Sequence, residues 1–142
     1  MVQGSCLCGA VRFQAKRMSG IVECNCSMCR KAAGGHAGFF FVALRDEVAW
    51  EGTEHLTHYE SSPGLARAFC ARCGTVMTGA NLMEPDDTII LAANALDGDV
   101  PAHIPAPIIA REHAASKAPW FEGHDDAPSC NKAWPGWNDL RP

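Results

Sequence analysis

Seven of the chain's eight cysteines fall into three tight groups. They read Cys6-x-Cys8, Cys24-x-Cys26-x-x-Cys29 and Cys70-x-x-Cys73, with Cys130 standing apart. Burial as small hydrophobes accounts for single cysteines, but it does not produce clusters. Gaps of one or two residues let two thiolates reach one ion from a single turn of backbone. Zinc takes about four ligands in a tetrahedron, with Zn–S near 2.3 Å. A closed site therefore needs two such pairs brought together from distant parts of the chain. Cys6 with Cys8, and Cys70 with Cys73, supply that set. Gly9 and Gly74 follow the two pairs directly, where glycine permits a sharp turn and leaves room for N–H groups to face sulfur. Whatever lies between these pairs must fold back on itself, and metal binding there is worth on the order of 10–16 kcal/mol in small zinc peptides.

Cys24, Cys26 and Cys29 remain together. Three protein ligands on one ion leave a position for water or substrate, the arrangement of catalytic rather than structural zinc. Other partitions stay open at this point. Cys130 or a histidine could close the second site, the trio could be a metal-free redox element, or a single-zinc ribbon could carry spare thiols. Iron–sulfur ligation also uses cysteine groups, but a 2+3+2 pattern suits two zincs better. A disulfide framework is the rival to metal. It is disfavoured because "MVQGSCLCGAVRF" lacks a basic region followed by an apolar one, so no export signal is visible and the reducing cytoplasm is the default.

The rest of the composition narrows the classes. A length of 142 residues suits one domain, 1–142, with one core. Twelve basic against sixteen acidic residues give a net charge of −4 and no basic stripe, so nucleic acid is a poor partner. No run of about 18 apolar residues is present, so no membrane span is expected.

The pattern is mainly β. Alternation marks strands at Ala10–Ala15, Glu47–Glu51 and His55–Glu60, with short extended runs at Gly20–Cys24, Ala66–Cys70 and Thr75–Ala80. Gly38–Leu44 is continuously apolar, as a strand buried on both faces or at a sheet centre would be. Thr88–Ala95 is the last convincing strand. A short helix is expected after Ser27 as cap, stopped by Gly34 and Gly35. From about residue 101 prolines recur, and this irregular segment is expected to wrap over the body, docked by Trp120, Trp134 and Trp137.

The segments "GSCLCGAVRF", "CNCSMCRK", "FCARCGT" and "SKAPWFEGHDD" resemble, in order and spacing, the glutathione-dependent formaldehyde-activating family, to whose superfamily centromere protein V belongs. The resemblance covers residues 4 to about 126. It implies a β-tent of antiparallel sheets with few short helices and two zincs per chain. Cys6, Cys8, Cys70 and Cys73 would hold the structural zinc, and Cys24, Cys26 and Cys29 the catalytic one. It further implies a cytoplasmic carbon–sulfur lyase acting on glutathione and formaldehyde or a related adduct, as an S-(hydroxymethyl)glutathione synthase does. The family often has histidine between the first two cysteines of the trio. Here Asn25 stands there, and an amide hydrogen-bonds but carries no proton at neutral pH.

Several other residues are candidates beside a bland reading. Arg30 and Lys31 follow the trio and could bind glutathione's carboxylates or offset the charge of a tris-thiolate site; the plain reading is a solvated helix face. Lys117 and Trp120 could line a pocket; the plain reading is that Lys117 is surface and Trp120 core, and core is expected for Trp120. His36 is the histidine best placed by sequence to reach the second zinc. His124, Asp125 and Asp126 read as a polar loop, and His55 and His58 as opposite faces of one strand. His103 and His113 carry no separate signal, and Cys130 reads as a lone thiol. A non-catalytic zinc-stabilised module that binds a thiol or a protein is the alternative from another class, with a homodimer as a possible assembly.

Overall fold

The structure is a computed structural model that describes residues 1–102, 104, 108–123 and 127–142. Three small sheets carry it. The first joins β1 (Val2–Ser5), β2 (Arg12–Ala15) and β5 (Val48–Glu51), antiparallel, in the order β1-β2-β5. The second joins β3 (Ile21–Cys24), β4 (Gly38–Leu44), β9 (Thr88–Ala92) and β10 (Ile108–Glu112), in the order β10-β3-β4-β9. The third joins β6 (Leu56–Ser62), β7 (Leu65–Cys70) and β8 (Asn81–Leu82). Among the described residues one α-helix, α1 (Ser27–Ala33), interrupts this mainly β chain.

Local chemistry explains the main elements. On β2 the burial alternates, sending Phe13 and Ala15 inward and Arg12 and Gln14 outward. Five of the seven residues of β4 are buried, as its apolar run requires, because it sits between β3 and β9. Phe13 tilts against Phe41 and Trp50 with ring centroids 6.3 and 5.5 Å away. Met77, Leu91 and Val11 belong to the same buried cluster. Cys6, Cys24, Cys29 and Cys70 are buried members of the same core.

Several expectations need correction. Cys26, not Ser27, caps α1: its backbone is extended (φ −61°, ψ 153°) and its sulfur accepts the Cys29 N–H at 3.3 Å. Sulfur takes the role usually given to a hydroxyl. Gly34 does stop the helix, in the left-handed conformation (φ 69°) with its N–H on the Arg30 carbonyl. Thr75–Ala80 forms no strand; it makes single bridges, Phe69↔Val76 and Thr78↔Leu91, and so spans two sheets. β9 ends at Ala92 and gives way to a 3-10 turn over Ala93–Ala95.

The largest departure is at the C-terminal end. The sequence marks its last strand at residue 95, yet β10 lies alongside β3, and it pairs parallel rather than antiparallel. The segment beyond adds Ser129 to β10 by a further parallel bridge to Arg111. Trp137 packs against the core and Trp134 is half-buried, but Trp120 is 68% exposed. Ala118 is the buried residue of that turn, so the chain turns its small side chain inward and its large one out.

Candidate metal centres

The four sulfurs of Cys6, Cys8, Cys70 and Cys73 lie within 4.8 Å of one another. Cys6 and Cys8 are 3.6 Å apart, and Cys8 and Cys70 3.9 Å. Edges of a tetrahedron with 2.3 Å metal–sulfur bonds are about 3.8 Å long, so the donor set fits zinc. Two knuckles build it. The Gly9 N–H returns to the Cys6 carbonyl and the Gly74 N–H to the Cys70 carbonyl, each at 2.8 Å. Both glycines have φ above +70°, a conformation that side-chain-bearing residues rarely adopt. Thr75 ties the knuckles together, accepting the Leu7 N–H at 3.0 Å while its hydroxyl lies 3.3 Å from the Cys73 sulfur. That hydroxyl, the Thr75 N–H and the Cys8 N–H hold the Cys73 thiol down at about 5, so a thiolate is already favoured there.

Cys24, Cys26 and Cys29 form the second set, also mutually within 4.8 Å. Cys24 ends β3, Cys26 caps α1, and Cys29 sits buried in the first turn of α1. Gly38 lets this helix approach β4, since a Cβ there would lie 2.6 Å from the Phe40 ring and 3.1 Å from the Cys29 Cβ. Contacts from Cys24 and Cys29, with the N–H groups of Cys29 and Met28, hold the Cys26 thiol far below the ordinary range. Cys24 is pushed far up by the same sharing and by burial. Without a cation the trio holds charge mainly on Cys26; a thiophilic ion would displace the remaining protons.

The charge beside the trio comes from a residue the sequence reading missed. Arg67, buried on β7, directs Nη2 at the Cys29 sulfur over 3.6 Å and Nε at the Ser61 hydroxyl over 3.1 Å. Its Nη1 is buried without a partner. No sequence signal pointed to it, because the burial of β7 does not alternate and the strand's composition does not mark which face meets α1. Of the expected cations, Arg30 is half-buried and donates from Nε to the Asn25 carbonyl at 3.2 Å, bracing the loop between β3 and α1. Lys31 is exposed, and Lys117 is half-buried in the turn after Ser116.

Asn25 is almost wholly buried. Its Nδ2 donates to Glu23 Oε1 at 3.2 Å and to the Glu112 carbonyl at 3.4 Å, and its Oδ1 has no partner. His36 does not join the sulfurs: it stacks on Phe121 at 3.7 Å and meets Phe39 edge-on. His58 is exposed on β6, while His55 lies in the preceding 3-10 turn. Cys130 is a free thiol near the carbonyls of Arg111 and Lys132. His103, His124, Asp125 and Asp126 lie outside the described residues. No cysteine among the eight is paired as a cystine. No described helix is long and apolar enough to cross a membrane.

Glu112 and His113 also escaped the sequence reading. Both place a donor atom within 4.8 Å of the Cys24 sulfur and of each other, but neither completes one mutually close set with Cys26 and Cys29. Beside α1, a cleft of about 230 Å³ is lined by Ala32, Ala33, Phe39, Phe40, Gly74, Thr75, Val76, Ala92 and Asn94. It separates the end of α1 from the second knuckle.

Residues 1–110 match the family model described as glutathione-dependent formaldehyde-activating enzyme. A Halomonas elongata protein, provisionally named a glutathione-dependent formaldehyde-activating enzyme, is 35% identical over 112 residues, covering 71% of this chain and 69% of that protein. A crystal structure of a Rhodobacter sphaeroides protein superposes with a TM-score of 0.56 at 24% identity, over 71% of this chain and 93% of that one, and this likeness bears on the fold alone.

Proposed function

The chain belongs to the glutathione-dependent formaldehyde-activating family, and from that premise we propose that it makes or breaks the carbon–sulfur bond between glutathione and formaldehyde, or in a related glutathione adduct. We assign this to one domain, 1–142, carrying two zincs. The observation that carries the reading is the unequal division of sulfur. Four thiols form one mutually close set, and three form another with no fourth described donor in it.

In the synthetic direction the thiol sulfur bonds to the carbonyl carbon, the C=O π bond breaks, and the thiol proton ends on the new hydroxyl; the lyase direction reverses each change. Zinc held by Cys24, Cys26 and Cys29 would supply a Lewis acid that favours the thiolate form of a bound thiol. The chain's own residues set charge and access. Arg67 at Cys29 offsets the net negative charge of three thiolates. Arg30, Lys31 and Lys117 are the cations assigned to glutathione's two carboxylates. Asn25 keeps the loop between β3 and α1 rigid through Glu23 and carries no proton in the reaction.

The test uses the full chain loaded with zinc, and NMR detection of S-(hydroxymethyl)glutathione formation above the spontaneous rate. A rate that falls to background in Cys29→Ser is the expected result. One metal per chain, together with no change in the visible spectrum of the Co(II) form on adding glutathione, would refute the enzyme reading. One observation favours the second reading, a thiol- or protein-binding module: where the family often has histidine this chain has Asn25, which carries no proton at neutral pH. That reading predicts a glutathione-dependent Co(II) spectrum with no rate above background.

A further inference from the structure

We propose that Cys24, Glu112 and His113 form a further metal position, contiguous with the trio and sharing the Cys24 thiolate with it. The inference rests partly on the reading of the trio as a metal site, and goes beyond it. The parallel register is the first ground. Glu112 pairs with Cys24 across β10 and β3, and Arg111 with Glu23. Alternation then separates two faces: on one, Arg111 holds Glu23 in a buried ion pair at 2.8 Å; on the other, Glu112 and Cys24 lie together.

Burial is the second ground. Glu112 is 6% exposed, and among the described residues no lysine or arginine forms an ion pair with it. A buried carboxylate is expected to be paired or to coordinate metal. Its Oε2 accepts the Trp137 Nε1–H at 2.7 Å and the Trp134 N–H at 2.8 Å, and such contacts orient a ligating carboxylate rather than neutralise it. Backbone strain is the third ground. His113 is the one non-glycine among the described residues with positive φ, at 53°. Strain of this kind persists where the surroundings impose it, often at sites of function. Here it turns the imidazole to within 4.8 Å of the Cys24 sulfur and the Glu112 carboxylate. Sulfur, imidazole and carboxylate together suit zinc or another divalent ion of the same borderline class.

The experiment is Zn(II) uptake by the metal-stripped full chain, read by elemental analysis and by competition with a chelator, with Trp137 emission as a local reporter. Asn tolerates the left-handed backbone, so His113→Asn removes the imidazole with little strain. Wild type should take up about three equivalents and His113→Asn about two, with the lost equivalent weakened more than the ~10–100-fold that a missing supporting contact costs. The Cys26→Ser, Cys29→Ser double variant should keep the emission change while losing the trio's ion, which separates failure of this position from failure of the proposed enzyme site. Equal uptake by wild type and His113→Asn overturns the proposal. So does a wild-type value of about two that falls to about one in His113→Asn, because the imidazole would then be capping the trio's own ion.

Discussion

Replacing Cys73 by serine should cost far more stability than replacing Cys29 by serine, although both remove one sulfur from a three- or four-thiol set. Serine nearly preserves shape, so the difference reads the metal link rather than a cavity. Cys73 is only half-buried, which keeps the packing change small. The closed site joins Cys8 to Cys70 across 62 positions. A cross-link over a loop of that length restricts the unfolded chain by about 4 kcal/mol in the loop-entropy account. The trio closes a loop of only about five residues, worth roughly 2 kcal/mol on the same account. That second figure is an upper bound. The trio's loop is also held by the Cys26 cap, by the Arg30 bond to Asn25 and by the Gly34 N–H on Arg30, none of which needs metal.

For a chain of this size each kcal/mol moves Tm by about 3 °C, so the expected losses are about 12 °C for Cys73→Ser and at most about 6 °C for Cys29→Ser. Differential scanning calorimetry of both variants, prepared with zinc and analysed for metal, measures this. The order of the two values matters more than their size. Equal losses, or a larger loss in Cys29→Ser, would refute the assignment of the 6/8/70/73 set as the structural link.

Three further outcomes follow from the same geometry. Arg67→Gln should fold but release metal from the trio about 10–100-fold more readily to a chromogenic chelator, because Cys29 loses its neighbouring positive charge. In metal-free protein, Cys26→Ala should be less stable than Cys26→Ser by about 1 kcal/mol, since serine can still accept the Cys29 N–H at the helix start; urea unfolding followed by circular dichroism resolves that difference. The metal-free chain should gain stability as pH rises from about 5 toward 9. Cys73 and Cys26 are held below the ordinary thiol value of 9.0, so their contribution is full above that value and is lost as the folded-state values are approached from above. A flat or falling urea midpoint over that range would contradict the sign.

Both sulfur sets were legible in the sequence: short-range spacing groups the trio and each pair, and zinc's demand for about four ligands joins the two pairs across 62 positions. The partners supplied by tertiary structure were not. Arg67 reaches Cys29 in α1 from β7, 38 positions away, and nothing in "LARAFC" marks which face points at the helix. Arg30 and Lys31 could be picked out because they adjoin the trio in sequence, a neighbourhood that Arg67 lacks. Ser27 looked like the cap because hydroxyls usually cap; a cysteine one residue earlier, already extended and next to the strand end, took the role. Trp120 was expected inside on size alone, but the turn at Ala118 decides which residue faces the core.

The parallel pairing of β10 with β3 explains why the C-terminal segment can take part in the site at all. Parallel strands end on the same edge of a sheet. Cys24 ends β3 and Glu112 ends β10, so the loop that follows each strand, one carrying Cys26 and Cys29 and the other starting with His113, leaves from the same place. Were β10 antiparallel to β3, Glu112 would face the start of β3 near Ile21, away from the Cys24 sulfur. Arg111 would then have lost register with Glu23, leaving the buried carboxylate of Glu23 without its 2.8 Å partner. Breaking a buried pair in that way costs about 3–5 kcal/mol, more than the small intrinsic preference for antiparallel pairing. The ion pair on one face of the two strands thus fixes the register that brings carboxylate and imidazole to the thiolate on the other.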